Sequence, residues 1–192
     1  MPRDELAVVA LDSQQSWRAW LDENHATSRG VWLKIAKKDA PASTVSYAEA
    51  LDEAICYGWI DGQKGRLDDA YWLQRFTPRK PGSKWSKINR EKAERLIAKA
   101  KVMPAGLREV TAAQADGRWA AAYEGQATAT VPPDLAEELD RNPVARDFFA
   151  TLTGANRYAI LYRIQDAKKP ETRARRIEKF VAMLNEHQTI HP

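Results

Sequence analysis

All seven tryptophans of this 192-residue chain lie at or before residue 119. The stretch that follows contains none, and its apolar residues recur at the three- and four-residue spacing of helices. This change in composition predicts an α+β fold in two parts. Residues 1–122 are expected to form a mixed α/β body with a tryptophan-rich core. Residues 123–192 are expected to form an all-helical C-terminal region packed on that body.

Alternating side chains predict a small antiparallel sheet with flanking helices. In residues 31–35 the apolar positions alternate with Trp32 and Lys34, the pattern of a strand with one buried face. Residues 70–77 predict a second strand, in which Arg75 points to the side opposite Trp72, Gln74 and Phe76. A third strand begins at Trp59 and is expected to turn at one of two hairpin dipeptides, Asp61-Gly62 or Lys64-Gly65.

A helix is predicted between the first and third of these strands. Ser46 and Glu49 form its capping box, and Gly58 supplies the left-handed position after its end. One side of the helix carries three carboxylates and a thiol, those of Glu49, Asp52, Glu53 and Cys56. Cys56 is the only cysteine, which excludes an internal disulfide. Its place at the helix C-terminus beside carboxylates disfavours a reactive thiolate.

Positive charge is concentrated in residues 75–101, here called the basic segment. It holds ten basic residues against two acidic ones, a net charge of +8, which leaves −4 for the rest of a chain whose net charge is +4. Such a concentration favours an anionic partner: a small ligand, an acidic protein surface or nucleic acid. A solvated helix face beside a basic loop is the structural alternative.

Several classes of protein are disfavoured by the sequence. No apolar run approaches the roughly 18–20 residues that span a bilayer, and the N-terminal apolar patch, residues 6–11, follows acidic residues and is too short for a secretory signal. We therefore expect a cytoplasmic protein without membrane insertion. Three scattered histidines and the absence of phosphate-binding and nucleophile motifs predict no metal, no cofactor and no recognised catalytic set.

The candidate binding site combines paired arginines, tryptophans and turn-held carboxylates. Arg75 and Arg79 flank a rigid Phe-Thr-Pro turn and offer two planar forks for a phosphate or carboxylate, while nearby hydroxyl and amide groups add neutral donors. The structural alternatives are a local hydrogen bond for Asp61, a helix cap for Ser86, core packing for the tryptophans, and an internal ion pair for Arg75. Nine residues are candidates for ligand binding: Asp52, Trp59, Asp61, Arg75, Thr77, Arg79, Trp85, Ser86 and Asn89.

Four blocks of sequence carry a resemblance to a known family: EALDEAICYGWIDG, LDDAYWLQRFTPRKPGSKWSKIN, GRWAAAYE and AKKPETRARRIEKFVAML. In this order they resemble the YdeI/OmpD-associated family of small bacterial proteins, also called bacteriocin-protection proteins, over about residues 13–187. The resemblance implies a cytosolic-type α+β domain with a helical C-terminal half, and a role in envelope stress or in tolerance of antimicrobial peptides. It implies no reaction, cofactor or catalytic residue.

Three functional hypotheses follow. The leading one is a non-enzymatic stress or protective protein that binds a small anionic ligand or an acidic partner in a cleft lined by the candidate residues. The second is a small enzyme in which Asp61 or Asp52 is a general base and the arginine pair holds an anionic substrate. The third is nonspecific nucleic-acid binding. The first two require that Asp61 and Arg75 face one shared cavity.

Overall fold

The computed structural model describes residues 6–192, which contain a four-stranded sheet and eight helices and therefore have the predicted α+β architecture. The described chain divides into two compact units. The first runs to Trp85 and includes Asn89–Ala122, and the second consists of Ser86–Ile88 and Tyr123–Pro192. The division into domains over residues 1–122 and 123–192 stays a prediction. Residues 1–5, on which the argument against a secretory signal partly rests, lie outside the described range.

The sheet of the first unit is mixed. Its strands are β1 (Val8–Ala10), β2 (Val31–Ala36), β3 (Trp59–Arg66) and β4 (Tyr71–Pro78), in the order β1-β2-β4-β3. β4 is antiparallel to both of its neighbours, but β1 is parallel to β2, so the expectation of a purely antiparallel sheet was wrong in this respect. The three residues of β1 are too few to show an alternating pattern, and a helical crossover brings the chain back beside it in the same direction.

The hairpin between β3 and β4 turns later than the sequence indicated. β3 continues through both predicted turn dipeptides, with a bulge between Asp61 and Lys64. The chain reverses instead after Arg66, where the Asp68 carboxylate accepts hydrogen bonds from the backbone amides of Ala70 (2.8 Å) and Tyr71 (2.7 Å). An aspartate side chain therefore closes this turn, and Gly62 lies within the bulge.

Strand register gives the sheet two chemically different faces. Val31, Leu33 and Ile35 of β2 lie opposite Phe76, Gln74 and Trp72 of β4, and these residues form the core face. Trp32 lies opposite Arg75, and Lys34 lies opposite Leu73, on the other side, here called the outer face. Partners directly opposite each other in a sheet project to the same side, so this assignment follows from the register.

Four helices belong wholly or mostly to the first unit: α1 (Gln14–Asn24), α2 (Tyr47–Cys56), α3 (Lys87–Ala98) and α4 (Pro104–Ala115). The capping box predicted at Ser46 and Glu49 is confirmed: Ser46 accepts from the Glu49 amide, and the Glu49 carboxylate accepts from the Ser46 amide. Trp17 of α1 packs on Phe76 with ring centroids 5.6 Å apart, and its indole N–H donates to the Ala50 carbonyl of α2 at 3.0 Å. This contact holds both helices to the core face.

Helix α4 approaches the C-terminus of α2 so closely that only glycine fits at the crossing. A Cβ on Gly106 would lie 2.8 Å from the Ile55 carbonyl oxygen and nearer still to that of Cys56. Real Cβ atoms essentially never come within 3.0 Å of another heavy atom, so either the backbone or the crossing would have to move. The two helices therefore meet backbone to backbone.

We expect Gly106→Ala to destabilise the chain by about 1–3 kcal/mol, because overpacking at the crossing outweighs the gain in helix propensity. Propensity alone would predict the opposite sign, a gain of about 1 kcal/mol. Urea unfolding followed by tryptophan fluorescence measures the change. Ala112→Gly, at an exposed position of the same helix, is the control for propensity. A Gly106→Ala variant as stable as the wild type would contradict the close approach.

The second unit is a helical bundle of α5 (Pro133–Arg141), α6 (Pro143–Thr151), α7 (Gly154–Gln165) and α8 (Pro170–Asn185). Its core contains buried leucine, isoleucine and phenylalanine side chains from all four helices, among them Leu135, Phe149, Ile160 and Leu184. None of the helices within residues 6–192 combines the length and the apolar character that crossing a membrane requires.

One arginine connects three helices of this bundle. The Arg173 guanidinium donates to both oxygens of Asp134, at the start of α5, and to the Ile164 carbonyl near the end of α7, at 3.0 Å. The hydrogen bonds from Arg173 lower the pKa of the Asp134 carboxyl below its ordinary value. The ionised carboxylate therefore contributes to the stability of the folded unit.

This pair predicts an acid sensitivity of the second unit. A carboxyl whose pKa is lowered by folding contributes stability above its unfolded pKa, and that contribution is lost as the pH falls through the folded pKa. We expect α5 and α8 to lose protection from hydrogen exchange, corrected for intrinsic rates, as the pH falls below about 4. Asp134→Asn should flatten this dependence, whereas Asp140→Asn, at an exposed position of α5, should retain it. Identical pH profiles for the two variants would contradict the assignment.

Candidate ligand-binding site

Arg79 and Trp85, two of the predicted site residues, are part of the core. The Arg79 guanidinium carbon lies 3.5 Å from the centroid of the Trp85 ring, and its Nη1 donates to the Lys84 carbonyl at 3.1 Å. Arg79 is 6% exposed and Trp85 is 1% exposed. Trp85 packs edge-on against Trp119, with centroids 4.8 Å apart. The arginine therefore secures its own loop and is not presented to a ligand.

The loop between β4 and α3 is closed by further hydrogen bonds. Lys80 and Ser83 bond to each other twice, through the Lys80 amide to the serine hydroxyl and the Ser83 amide to the lysine carbonyl, each at 2.9 Å. Arg118 donates to the Ser83 carbonyl at 2.7 Å and pairs with Asp116. These contacts fix the basic loop as a structural element.

Four other predicted site residues are buried or contact groups within the protein. Asp52 accepts from Lys92 (2.6 Å) and Arg95 (2.9 Å), which ties α2 to α3. Trp59 is 1% exposed, and its indole N–H donates to the His25 carbonyl at 3.2 Å. Asn89 is 8% exposed on α3. Ser86 stands immediately before α3 and forms an isolated bridge with Tyr123 of the second unit.

Asp61 and Arg75 do not share a cavity. Asp61 lies opposite Phe76 in the register between β3 and β4, so it projects to the core face, where its carboxylate accepts from the Tyr47 hydroxyl at 2.8 Å. Arg75 is the residue before Phe76 and therefore projects to the outer face. The expectation that the hairpin brings these two groups to one cleft was wrong, because their separation is set by the strand alternation itself.

The outer face places Arg75 and Thr77 beside three residues that were not predicted to bind a ligand: Trp32, Lys34 and Tyr71. The Lys34 ammonium lies 3.7 Å above the centroid of the Tyr71 ring. Neither β2 nor β4 contains an acidic residue, so their part of the outer face carries two cations and no carboxylate. The alternation of Trp32 and Lys34 was visible in the sequence, but their position beside Arg75 depends on the pairing of the strands.

Arg75 is half-buried, and its guanidinium makes no hydrogen bond, ion pair or ring contact with any residue in the described part of the chain. Its Nε is fully enclosed without a hydrogen-bond acceptor. The stem of the side chain passes beside Gly62 of β3, since a Cβ placed on that glycine would lie 3.8 Å from the arginine Cβ and Cδ. This arginine thus has the donor capacity that an anion would use.

Several basic side chains of the basic segment make ion pairs or ring contacts within the protein. In the first unit Lys92 and Arg95 pair with Asp52, Arg90 lies 3.7 Å from the Glu94 carboxylate, and Arg79 covers Trp85. In the second unit Lys87 pairs with Glu124 at 2.7 Å. The net charge of the segment therefore overstates the positive charge that its surface offers to nucleic acid.

The carboxylates of α2 are likewise engaged. Glu53 is buried and accepts from Gln14 (2.6 Å) and Arg18 (2.9 Å). Burial and the charge of Glu53 raise the pKa of the Cys56 thiol to about 12, so the thiol is neutral at physiological pH. Within residues 6–192 no group of three or more histidine, cysteine, aspartate and glutamate side chains is placed to hold a metal ion.

Two family models match the chain. Residues 9–109 match a domain of unknown function (DUF8412), and residues 128–187 match the family described as bacteriocin-protection, YdeI or OmpD-associated. The first match covers more than half of the chain, so the chain belongs to the family of this domain of unknown function. The second match agrees with the resemblance seen in the sequence and places a YdeI/OmpD-associated domain at residues 128–187. Neither a curated protein nor a solved structure matches it.

The burial of Arg79 predicts that this arginine is needed for stability. We expect Arg79→Ala to destabilise the first unit by about 2–3 kcal/mol, because it removes a buried cation–π contact and a charged hydrogen bond. Urea unfolding followed by tryptophan fluorescence is suited to this test, since every tryptophan lies in the first unit. Lys80→Ala, at the exposed neighbouring position, should change stability by less than about 0.5 kcal/mol. Equal stabilities of the two variants would show that Arg79 is not structural.

Proposed function

We propose that this chain is a non-enzymatic protective protein that binds an anionic ligand, either a small molecule or an acidic segment of a partner, on the outer face of its sheet. Arg75 is the anchoring cation. The supporting observation is the half-buried guanidinium of Arg75, which has no partner within the described residues. The protective role and a cytoplasmic site of action are parts of the same proposal, supported by the family description of residues 128–187 and by the sequence.

In the free protein the guanidinium of Arg75 contains a donor that makes no hydrogen bond. Enclosing a donor without an acceptor costs about 1–3 kcal/mol, and more when the group is charged. The enclosed Nε is out of reach of a ligand, but a carboxylate or phosphate offers paired oxygens to the terminal donors of the planar fork. These terminal donors of Arg75 are the groups that an anionic ligand would engage.

The neighbours of Arg75 define the preferred ligand. Trp32, directly across the strand, provides a flat apolar surface, and Thr77, two residues along, adds a hydroxyl group. Lys34 supplies a second cation on the same face, above the Tyr71 ring. This combination suits an anionic group attached to a planar or apolar body.

The alternatives receive less support from the geometry. A general base on Asp61 or Asp52 would need to face the substrate held by Arg75, but Asp61 lies on the opposite face and Asp52 is paired with Lys92 and Arg95. Nucleic-acid binding would draw on the basic segment, in which several cations are paired internally. Anion binding at Arg75 uses a group that these internal contacts leave available.

The test is ligand-induced thermal stabilisation with sodium phosphate and sodium benzoate as probes. At about ten times the dissociation constant of a probe, the wild type should gain ~1.4 kcal/mol of stability, measured as a higher Tm. Arg75→Gln should lose this gain, because the substitution removes the guanidinium that binds the anion. In the absence of a probe, Arg75→Gln should be at least as stable as the wild type, since it removes no internal hydrogen bond and removes the enclosed, unpaired Nε donor.

Arg66→Gln is the matched control, because Arg66 is 86% exposed near the end of β3 and lies 3.8 Å from Asp69. It should retain the full response to both probes. A glutamate-rich peptide serves as a third probe: a response that depends on Arg75 and appears only with this peptide identifies an acidic partner as the ligand. Equal responses of Arg75→Gln and Arg66→Gln would exclude the outer face as the binding site.

A further inference from the structure

A second cluster of aromatic and charged side chains lies on the core-face side of the sheet, at the N-terminus of α2. The rings of Tyr47 and Trp72 have centroids 6.0 Å apart and are inclined at 48° to each other. The Tyr47 hydroxyl donates to the Asp61 carboxylate at 2.8 Å. Burial and the charge of Asp61 raise the pKa of Tyr47, so the phenol stays neutral and keeps donating.

The bulge in β3 adds a cation to this cluster. In a regular strand Asp61 and Lys64, three residues apart, would project to opposite faces. The bulge between them restores the alternation, so that Asp61 lies opposite Phe76 and Lys64 lies opposite Gln74, both on the core-face side. The Lys64 ammonium then stands 5.0 Å from the Trp72 ring centroid and 5.6 Å from that of Tyr47.

The two rings and the carboxylate have the chemistry of a cation site. The faces of Trp and Tyr rings attract ammonium groups, and such aromatic walls recognise alkylated ammonium ligands in many proteins. Asp61 adds a negative charge, and the hydrogen bond from Tyr47 occupies only one of its oxygens, so the other keeps its acceptor capacity. The side chain of Lys64 is exposed and makes no ion pair with any described residue. Its ammonium is held near the rings by weak cation–π contacts, which an external ligand can replace.

We propose that Tyr47, Trp72 and Asp61 form a binding site for the alkylammonium group of a ligand, and that Lys64 occupies this site in the free protein. The site is independent of the proposed anion site, which lies on the opposite face of the sheet. The bound group is recognised by its positive charge and its methyl or methylene surface. Lys64 competes with it and so weakens the binding of any external ammonium group.

The test uses tetramethylammonium chloride, titrated into ¹⁵N-labelled protein with sodium chloride as the salt control. In Lys64→Ala the resonances of the Trp72 indole N–H and of nearby β3 amides should shift, and the affinity should exceed that of the wild type by about two- to fivefold. Lys80→Ala is the control, because it removes the charge of an exposed lysine in the loop between β4 and α3. Its affinity for tetramethylammonium should equal that of the wild type.

Adding Asp61→Asn to Lys64→Ala should weaken the binding, because it removes the negative charge while preserving the hydrogen-bonding shape. The shifted resonances locate the ligand directly, so the result does not depend on whether a Trp72 variant folds. The proposal is overturned if Lys64→Ala shows no shift at the Trp72 indole beyond that caused by sodium chloride. It is also overturned if Lys64→Ala and Lys80→Ala bind tetramethylammonium equally well.

Discussion

The antiparallel pairing of β2 with β4 determines the chemistry of the first unit. Six residue pairs, from Val31 opposite Phe76 to Ala36 opposite Tyr71, fix which side chains enter the core. A slip of one residue would expose every buried side chain of the strand and bury every exposed one. The packing of Trp17 on Phe76 holds the register, because the indole fits only when Phe76 faces the helices. The position of Arg75 on the outer face is a consequence of this packing.

Local signals in the sequence were sufficient for the helices and for the alternation of β4. The capping box at Ser46 acts within one turn of chain, and the spacing of apolar residues marks the helical C-terminal region, so both are readable without a fold. The parallel strand β1 and the bulge in β3 depend on partners distant in the sequence, and they were missed. The burial of Arg79 was also missed, because a basic loop resembles a solvated one until Trp85 folds back beneath the guanidinium.

The internal ion pairs reduce the positive charge that the basic segment presents to other molecules. A net charge of +8 over residues 75–101 suggests a surface that attracts polyanions. In the folded chain Asp52 forms ion pairs with two of these cations, and Glu124 pairs with another. What remains for recognition is a small number of individually placed groups, so affinity for a ligand would depend on its shape and hydrogen bonding more than on its total charge.

The irregularity of β3 also affects how this sheet meets other molecules. β3 is an edge strand, and a regular edge exposes a row of unpaired amides and carbonyls on which a strand from another chain can assemble. The bulge between Asp61 and Lys64 interrupts this row and twists the strand, while the lysine places a charge beside it. The same local distortion that collects the aromatic cluster therefore protects the sheet against edge-to-edge aggregation.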